Sequence, residues 1–264
     1  MDVSGVFLKH QICSELHKLA ESCSYPTMPW DFLLIFFVLA VIVPWRGWAR
    51  MQRLRSLAQI SSRERIGLYL TAMATQWIIT AVVAWRGFSR GFDFPALGIR
   101  AQSQPEVLLV GVVGAALIGV AHWFNLRRVG RSSNPAAVRI KELAAKIFPR
   151  SRGETVIFCG LAVTAGICEE FLYRGFVFAA FRQVHFPVWA ILALSSVLFG
   201  LAHAYQGRAG MLGTLILGTV FGCVRILYDS LVPVVFWHTA IDIVAGLAGS
   251  RYLIENKQVS IVDG

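Results

Sequence analysis

Long apolar runs separated by short basic loops dominate this chain of 264 residues and restrict it to a helical membrane fold. An α-helix needs about 20 predominantly apolar residues to cross the hydrocarbon core of a bilayer. Runs close to that length cover about 31–45, 66–85, 106–126, 155–180, 187–204, 209–228 and 231–250. Hydrophobic residues make up 56% of the chain, against about 45–50% in a soluble domain. We therefore predict an all-α, polytopic bundle of about seven transmembrane helices.

Positive charge is concentrated in two of the connecting loops. Residues 46–65 contain six arginines, and residues 127–153 contain eight lysines or arginines. Cytoplasmic loops carry such an excess, so both loops are expected in the cytoplasm, with the N-terminus outside and the C-terminus inside. The net charge of +10 then belongs to membrane flanks, and no nucleic-acid partner is expected. The sequence predicts a multi-pass integral protein of a bacterial plasma membrane, with the lipid bilayer as its first partner.

Four segments follow from these patterns. They are a polar or amphipathic N-terminal segment (1–28), spans one to three with their basic loops (29–153), a core of spans four to seven that carries the motifs below (154–250), and a polar tail (251–264). Within the second basic loop, Ala136–Phe148 has apolar residues at helical spacing with lysines between them. That pattern is typical of an amphipathic helix on an anionic membrane surface, and an ordinary solvated loop is the alternative. A disulfide between Cys13 and Cys23 is compatible with an oxidising compartment but nothing specifies it.

Two adjacent carboxylates and an arginine interrupt the fourth apolar run. Ionisable groups at membrane depth are costly and persist mainly where a bundle interior or a wet cavity gives them partners. Glu170 and Arg174 are four residues apart, so a helix places them on one face in an orientation that favours an ion pair. Glu169 is rotated by about 100° from Glu170 and points elsewhere. A buried structural brace and a functional site are both consistent with this stretch alone.

Two histidines extend the polar set to further spans. His203 ends the fifth run, and His238 lies in the seventh, four residues before Asp242 on the same helix face. Polar groups on three spans must all find partners away from lipid, and gathering them in one cavity achieves this. Glu169, Glu170, Arg174, His203, His238 and Asp242 then form a set of acids, bases and a fixed cation. Such a set suits general acid–base hydrolysis, with or without a metal.

The same residues resemble a known series of motifs. The pattern Glu169-Glu170-x-x-x-Arg174, then Phe199-x-x-x-His203, then His238-x-x-x-Asp242, on successive spans, resembles that of the CAAX-protease and bacteriocin-processing (Abi) family. This family of intramembrane endopeptidases includes the type II CAAX prenyl proteases. The resemblance covers roughly residues 155–250, whereas residues 1–150 are similar only in being membrane spans. It implies hydrolysis of a peptide bond, inside a membrane cavity, in a membrane-associated and in some members prenylated substrate.

The resemblance also implies roles for the residues. Glu169 would activate water with help from His203, His238 and Asp242 would stabilise the oxyanion, and Glu170 with Arg174 would brace the site. Asp242 raises a chemical question, because an ionised carboxylate cannot donate a hydrogen bond to an oxyanion. It must be protonated, orient His238 through a ring N–H, or ligate a metal. Glu169, His203 and His238 could supply three ligands of an open Zn²⁺ site, so a metalloprotease and a metal-free glutamate protease both stay open.

Two other classes of function compete with the protease. A non-catalytic membrane scaffold or immunity-type protein would keep the fold and use the polar set as structure. Apolar residues would serve that purpose at a lower desolvation cost, which argues against it. A transporter with a carboxylate proton relay would show repeat-related broken helices, and the sequence contains no such repeat.

Overall fold

The computed structural model describes residues 27–100 and 105–254, in which helices are joined by turns and loops and no strand occurs. Its helices, in chain order, are α1 (Trp30–Ser56), α2 (Ser62–Ser89), α3 (Pro105–Arg131), α4 (Pro135–Ile147), α5 (Arg152–Gln183), α6 (Val188–Ala202), α7 (Gly207–Tyr228) and α8 (Val232–Ile254). Six of them, all except α4 and α6, are long and apolar enough to cross a membrane. The predicted all-α membrane bundle is therefore confirmed.

Helix boundaries differ from the apolar runs mainly at the basic ends. Helix α1 continues to Ser56 and α3 to Arg131, well past the last apolar residues of their runs, because a helical backbone is satisfied internally in water as well as in lipid. Helix α6 is shorter than the predicted fifth span and ends at Ala202, where His203 begins a 3₁₀ turn. The predicted tail begins inside α8, which ends in a π-helical turn over Ser250–Ile254.

Several sequence predictions fall outside the described residues. These are nearly all of the N-terminal segment 1–28, the cysteines Cys13 and Cys23, and the chain after Ile254. The amphipathic segment Ala136–Phe148 is described, and it forms α4, whose first turn is capped by the Asn134 side chain. Its predicted contact with the membrane surface stays a prediction.

The main apolar core holds the middle of α5 against α1, α2 and α6. Phe32 and Leu39 of α1 and Phe176 of α5 are fully buried there, and the rings of Phe32 and Phe176 meet edge to face with centroids 4.9 Å apart. Burial of a side chain of this size stabilises the fold by about 1.5–3 kcal/mol. This packing fixes the segment of α5 that carries the acidic motif.

Helix α8 reaches the same depth from the other side of α5. It packs along both α3 and α5, and the Trp237 indole N–H of α8 donates a hydrogen bond to the Val110 carbonyl of α3 at 3.0 Å. Helices α6 and α7 pack against each other. As a result α5 lies between α2 and α8, with the end of α6 close by.

Two ion-pair clusters at opposite ends tie the helices together. At one end, Asp31 at the start of α1 accepts hydrogen bonds from Arg86 and Arg90 at the end of α2. At the other end, the buried Arg65 of α2 is paired with Glu154 at the start of α5, at 3.0 Å. The acidic motif lies between these two levels.

Candidate active site

The structure brings all six predicted site residues together around Glu169. Glu169 and Glu170 close the α-helical part of α5, and Arg174 lies in the π-helical segment Phe171–Phe176 that follows. A π-helical turn contains one residue more than an α-helical turn and is frequent at functional sites. Four-residue spacing alone did not predict it. In this geometry Glu170 and Arg174 still pair, as the spacing predicted, with Nη1 and Oε1 3.1 Å apart.

Glu170 and Arg174 form a fully buried brace whose hydrogen bonding is incomplete. Neither side chain is exposed. The guanidinium of Arg174 lies over the ring of Phe199, 4.1 Å from its centroid, a cation–π contact that partly replaces lost hydration. Its Nε and Nη2 atoms and Oε2 of Glu170 have no hydrogen-bond partner among the described residues.

Gly218 of α7 leaves the space that this guanidinium occupies. A Cβ atom at that position would lie 2.9 Å from Nη2 of Arg174. Gly222, one turn further along, is equally confined, since its Cβ atom would meet the side chain of Leu192 in α6. The two glycines therefore serve close helix packing, the role that their small-xxx-small spacing indicates.

The two histidines are held by different partners. His203 Nδ1 lies 2.9 Å from the Phe199 carbonyl oxygen, and His238 Nδ1 lies 2.7 Å from Oε1 of Glu170. Carbonyl and ionised carboxylate oxygens only accept hydrogen bonds, so each Nδ1 carries the proton and donates it. Each ring therefore turns its Nε2 atom toward the centre of the site.

Glu169 stands at that centre with one oxygen held and one unpartnered. Its Oε1 accepts a hydrogen bond from Nε2 of Gln76 in α2 at 2.7 Å. Its Oε2 is buried, has no hydrogen-bond partner within the described chain, and lies 3.8 Å from Nε2 of His203 and 3.9 Å from Nε2 of His238. These distances are too long for direct hydrogen bonds, so Oε2 lies near both imidazole nitrogens without bonding to either.

Asp242 lies at the edge of the site. Its Oδ2 is 3.7 Å from Nε2 of His238, and about a third of its side chain is exposed. The ring N–H of His238 is bonded to Glu170 instead, so Glu170 is the residue that orients this imidazole. His238 and Asp242 share a helix face, as predicted. The alternative in which Asp242 orients His238 through a ring N–H is not observed, because that N–H is bonded to Glu170.

Sequence reasoning missed Gln76, the hydrogen-bond donor to Glu169. A single amide in an apolar run carries little signal, although Gln76 is the only side chain with an amide or a charge between residues 66 and 85. The orienting bond from Glu170 to His238 was also missed. The two residues of this hydrogen bond are 68 positions apart in the sequence, and their contact depends on how α5 and α8 pack.

The site contains some of the ligand types that a metal ion requires. Two imidazole nitrogens and a carboxylate oxygen are the ligand types that Zn²⁺ prefers, and Oε2 of Glu169 is unpartnered. In residues 27–100 and 105–254, however, no group of three or more His, Cys, Asp or Glu side chains is arranged to hold a metal ion. In this arrangement the set does not fit a metal, and no step below passes through one. Zn²⁺ ligation by Glu169, His203 and His238 stays a prediction, which removal of metal would test.

Comparison with known proteins gives a family match in the C-terminal part of the chain. No curated protein and no solved structure gives a significant match. Residues 151–244 match the family described as "Rce1-like: Type II CAAX prenyl endopeptidase Rce1-like". The match contains all six site residues and ends two positions after Asp242. The resemblance to the CAAX-protease family is thus confirmed over this segment, which is similar to a family of CAAX-type intramembrane proteases.

Proposed function

We propose that this protein is an intramembrane endopeptidase in which Glu169 activates water to hydrolyse a peptide bond. The carrying observation is the buried, unpartnered Oε2 of Glu169 with two imidazole nitrogens 3.8 and 3.9 Å away. A water molecule at ordinary hydrogen-bond distances of about 2.8 Å from Oε2 and from Nε2 of His203 fits that separation. The family match supports the class of reaction.

The different partners of the two histidines suggest different roles. His203 donates Nδ1–H to a neutral backbone carbonyl, so its Nε2 is available as an acceptor that holds the water. His238 donates Nδ1–H to the buried carboxylate of Glu170, which favours the imidazolium form, with a second N–H at Nε2. His203 then helps to position the nucleophile, and His238 acts as an electrophilic donor.

The proposed reaction conserves protons. Glu169 takes a proton from the water as its oxygen bonds to the carbonyl carbon, and the carbonyl oxygen becomes an oxyanion. The Nε2–H of His238 donates a hydrogen bond to that oxyanion, and Asp242 can add a second one only in its protonated form. Glu169 then gives its proton to the amide nitrogen as the C–N bond breaks, which releases an amine and a carboxylic acid.

Gln76 and the Glu170–Arg174 pair are positioning residues in this scheme. The amide of Gln76 occupies Oε1 of Glu169, which leaves Oε2 to face the water. Glu170 fixes the tautomer and orientation of His238, and Arg174 provides the countercharge for Glu170.

The substrate is proposed from the family alone. We propose a membrane-associated peptide, with a prenylated C-terminal peptide as the first candidate and an unlipidated leader peptide as the second. The proposed setting is the plasma membrane of a bacterium. The scaffold alternative would need none of the unpartnered polar atoms that surround Glu169.

The test is cleavage of a fluorogenic prenylated C-terminal peptide by the purified protein. We expect Glu169→Gln to lower kcat by about 10²–10⁴, the range for loss of a general base. Glu142→Gln, which changes an exposed glutamate of α4, should stay within about twofold of the unchanged protein. Equal activity of Glu169→Gln and the unchanged protein would disprove the role of Glu169.

Two further measurements, one with an unlipidated peptide and one with a chelator, define the substrate and the metal dependence of the reaction. If only an unlipidated leader peptide is cleaved, the protease assignment stands and the prenylated substrate is wrong. If a chelator abolishes cleavage and Zn²⁺ restores it, the metal-dependent form replaces the scheme above.

A further inference from the structure

Three arginines converge on a cavity at the basic end of the bundle, away from the candidate active site. The cavity has a volume of about 540 Å³ and is lined by Arg127, Gly130, Arg131, Arg251 and Tyr252. Arg127 and Arg131 lie one turn apart near the end of α3, and Arg251 and Tyr252 lie in the last turn of α8. We call this site the arginine pocket.

Within the described residues, the positive charge of the arginine pocket has no carboxylate counter-ion. None of its three arginines forms an ion pair with a carboxylate in residues 27–100 or 105–254. Basic residues in the last turn of a helix complement its dipole, which accounts for Arg131 of α3 and Arg251 of α8 separately. It does not account for Arg127, or for three guanidinium groups from two helices lining the same cavity. An anion with several acceptor oxygens, such as a phosphate, would satisfy this arrangement.

Aromatic residues place the pocket at the level of lipid headgroups. Trp123, one turn before Arg127, meets the ring of Tyr252 edge to face with centroids 5.5 Å apart. Tryptophan and tyrosine are enriched at the boundary between hydrocarbon and headgroups. The arginines therefore lie just outside the hydrocarbon, where the phosphates of a bilayer lie.

An exposed apolar stripe continues from the pocket along α3. Leu117, Val120 and Phe124 are each more than half exposed, and they follow one another at spacings of three and four residues. Together with Arg127 and Arg131 they fall within an arc of about 80° at 100° per residue. One side of α3 thus presents an apolar surface at acyl-chain depth and two arginines at headgroup depth.

We infer that the arginine pocket binds the phosphate-bearing headgroup of an anionic phospholipid whose acyl chains lie along this stripe of α3. Basic pockets between transmembrane helices on the cytoplasmic side suit such headgroups. The apolar stripe favours a diacyl lipid over a soluble phosphate compound, because only the lipid contacts both parts of the surface.

The test compares two pairs of substitutions that remove equal charge from neighbouring positions. The full chain, purified in a neutral detergent, is titrated with dioleoylphosphatidylglycerol, and binding is followed by native mass spectrometry. The pair Arg127→Gln and Arg131→Gln changes the pocket. The matched pair Arg128→Gln and Arg139→Gln changes exposed arginines that do not line it.

We expect the pocket pair to weaken binding of phosphatidylglycerol about tenfold or more, and the matched pair to weaken it less than twofold. Binding of dioleoylphosphatidylcholine should be weaker and unchanged in both. Equal losses in the two pairs would overturn the inference, since they would show attraction to general surface charge. Competition by glycerol 3-phosphate at an affinity equal to that of the lipid would identify a soluble phosphate ligand and would also overturn it.

Arg251→Gln alone keeps the inference testable if the pocket pair fails to fold. It leaves the basic loop of residues 127–153 unchanged, so the loop charge that orients the helices is kept. We expect about a threefold to tenfold loss of phosphatidylglycerol affinity with an unchanged midpoint of thermal unfolding in the absence of lipid. An unchanged affinity would show that the pocket does not bind the headgroup.

Discussion

Two buried arginine–glutamate pairs, each with its glutamate on α5, differ in how completely they are hydrogen-bonded. Arg65 and Glu154 are each 2% exposed, and Arg65 also donates to the carbonyls of Lys146 and Ile60. Glu154 accepts a further hydrogen bond from the backbone N–H of Arg150 at 2.6 Å. Arg174 and Glu170 are completely buried, but several of their polar atoms have no partner among the described residues.

The difference is what we expect between a purely structural pair and a pair that serves the proposed active site. A buried ion pair is tolerated when hydrogen bonds satisfy its remaining atoms, as they do at Arg65–Glu154. At Glu170–Arg174 the bonding is incomplete, and one carboxylate oxygen instead orients His238. A partly satisfied polar network in a low-dielectric interior is costly, and a catalytic role is one explanation for keeping it.

The largest effect is expected from Glu170→Gln. The substitution leaves Arg174 buried without a countercharge, which costs about 3–5 kcal/mol of unfolding free energy, and it removes the carboxylate that holds His238. We expect kcat of the folded fraction to fall by about 10² or more, measured with the fluorogenic peptide after normalising for folded protein. Retention of full kcat would place Glu170 in the same structural class as Glu154.

Glu154→Gln is expected to have a comparable effect on stability and none on catalysis. The substitution leaves Arg65 buried without a countercharge, so the free energy of unfolding should fall by about 3–5 kcal/mol. The kcat of the molecules that stay folded should remain within about twofold, because Glu154 lies 15 residues before Glu169 on α5. A loss of kcat as large as that of Glu170→Gln would remove the distinction between the two pairs.

Gln76→Met is expected to have an intermediate effect on activity. Methionine has nearly the shape of glutamine but cannot donate to Oε1 of Glu169. The loss of a hydrogen bond to a charged group, about 1.5–3 kcal/mol, predicts a decrease in kcat of about tenfold or more with little change in KM.

Two further variants control the Gln76 experiment. Gln76→Asn keeps an amide and should recover part of the rate. Thr75→Val removes a hydroxyl that bonds only within α2 and should leave kcat unchanged. Equal losses in Gln76→Met and Thr75→Val would show that α2 acts through packing alone.

The smallest effect is expected at Asp229, a partly exposed carboxylate in the turn between α7 and α8 that pairs with the buried Arg225 of α7 and with Arg100. Burial alone would raise the pKa of Asp229, but hydrogen bonds from Arg225 and Arg100 outweigh it and lower the pKa below its ordinary value. Arg225 is buried, but the Asp229 carboxylate is 40% exposed, so solvent screening limits the contribution of its charge to about 1 kcal/mol. The amide oxygen of an asparagine at this position could still accept the hydrogen bond from Arg225.

Asp229→Asn should therefore lower the midpoint of thermal unfolding slightly at pH 7. Because the folded pKa is depressed, the stabilisation is present above the unfolded pKa of about 3.9 and is lost as the pH falls through the folded value. The difference between variant and unchanged protein should accordingly vanish near pH 2. A difference that persists there would show that Asp229 acts through the turn geometry rather than its charge.

Local spacing predicted much of this molecule. The apolar runs predicted the bundle, and the four-residue spacing predicted the pairing of Glu170 with Arg174, because both depend on residues within one helix. The bond from His238 to Glu170 and the donor Gln76 were not predictable in this way. They depend on how α8 and α2 are rotated against α5, which no local pattern encodes.

The π-helical segment Phe171–Phe176 has a consequence for how the length of α5 can change. Its extra residue per turn is what a single-residue insertion into an α-helix would leave behind. Its Tyr173 carbonyl accepts a hydrogen bond from Ser195 of α6 at 2.8 Å, which anchors the wide turn. Deleting one residue here would return the segment to an α-helical turn and keep the rest of α5 in register, whereas deleting one residue elsewhere in α5 would rotate everything after it by about 100°. We therefore expect a change in the length of α5 to be tolerated better at this wide turn than elsewhere in the helix.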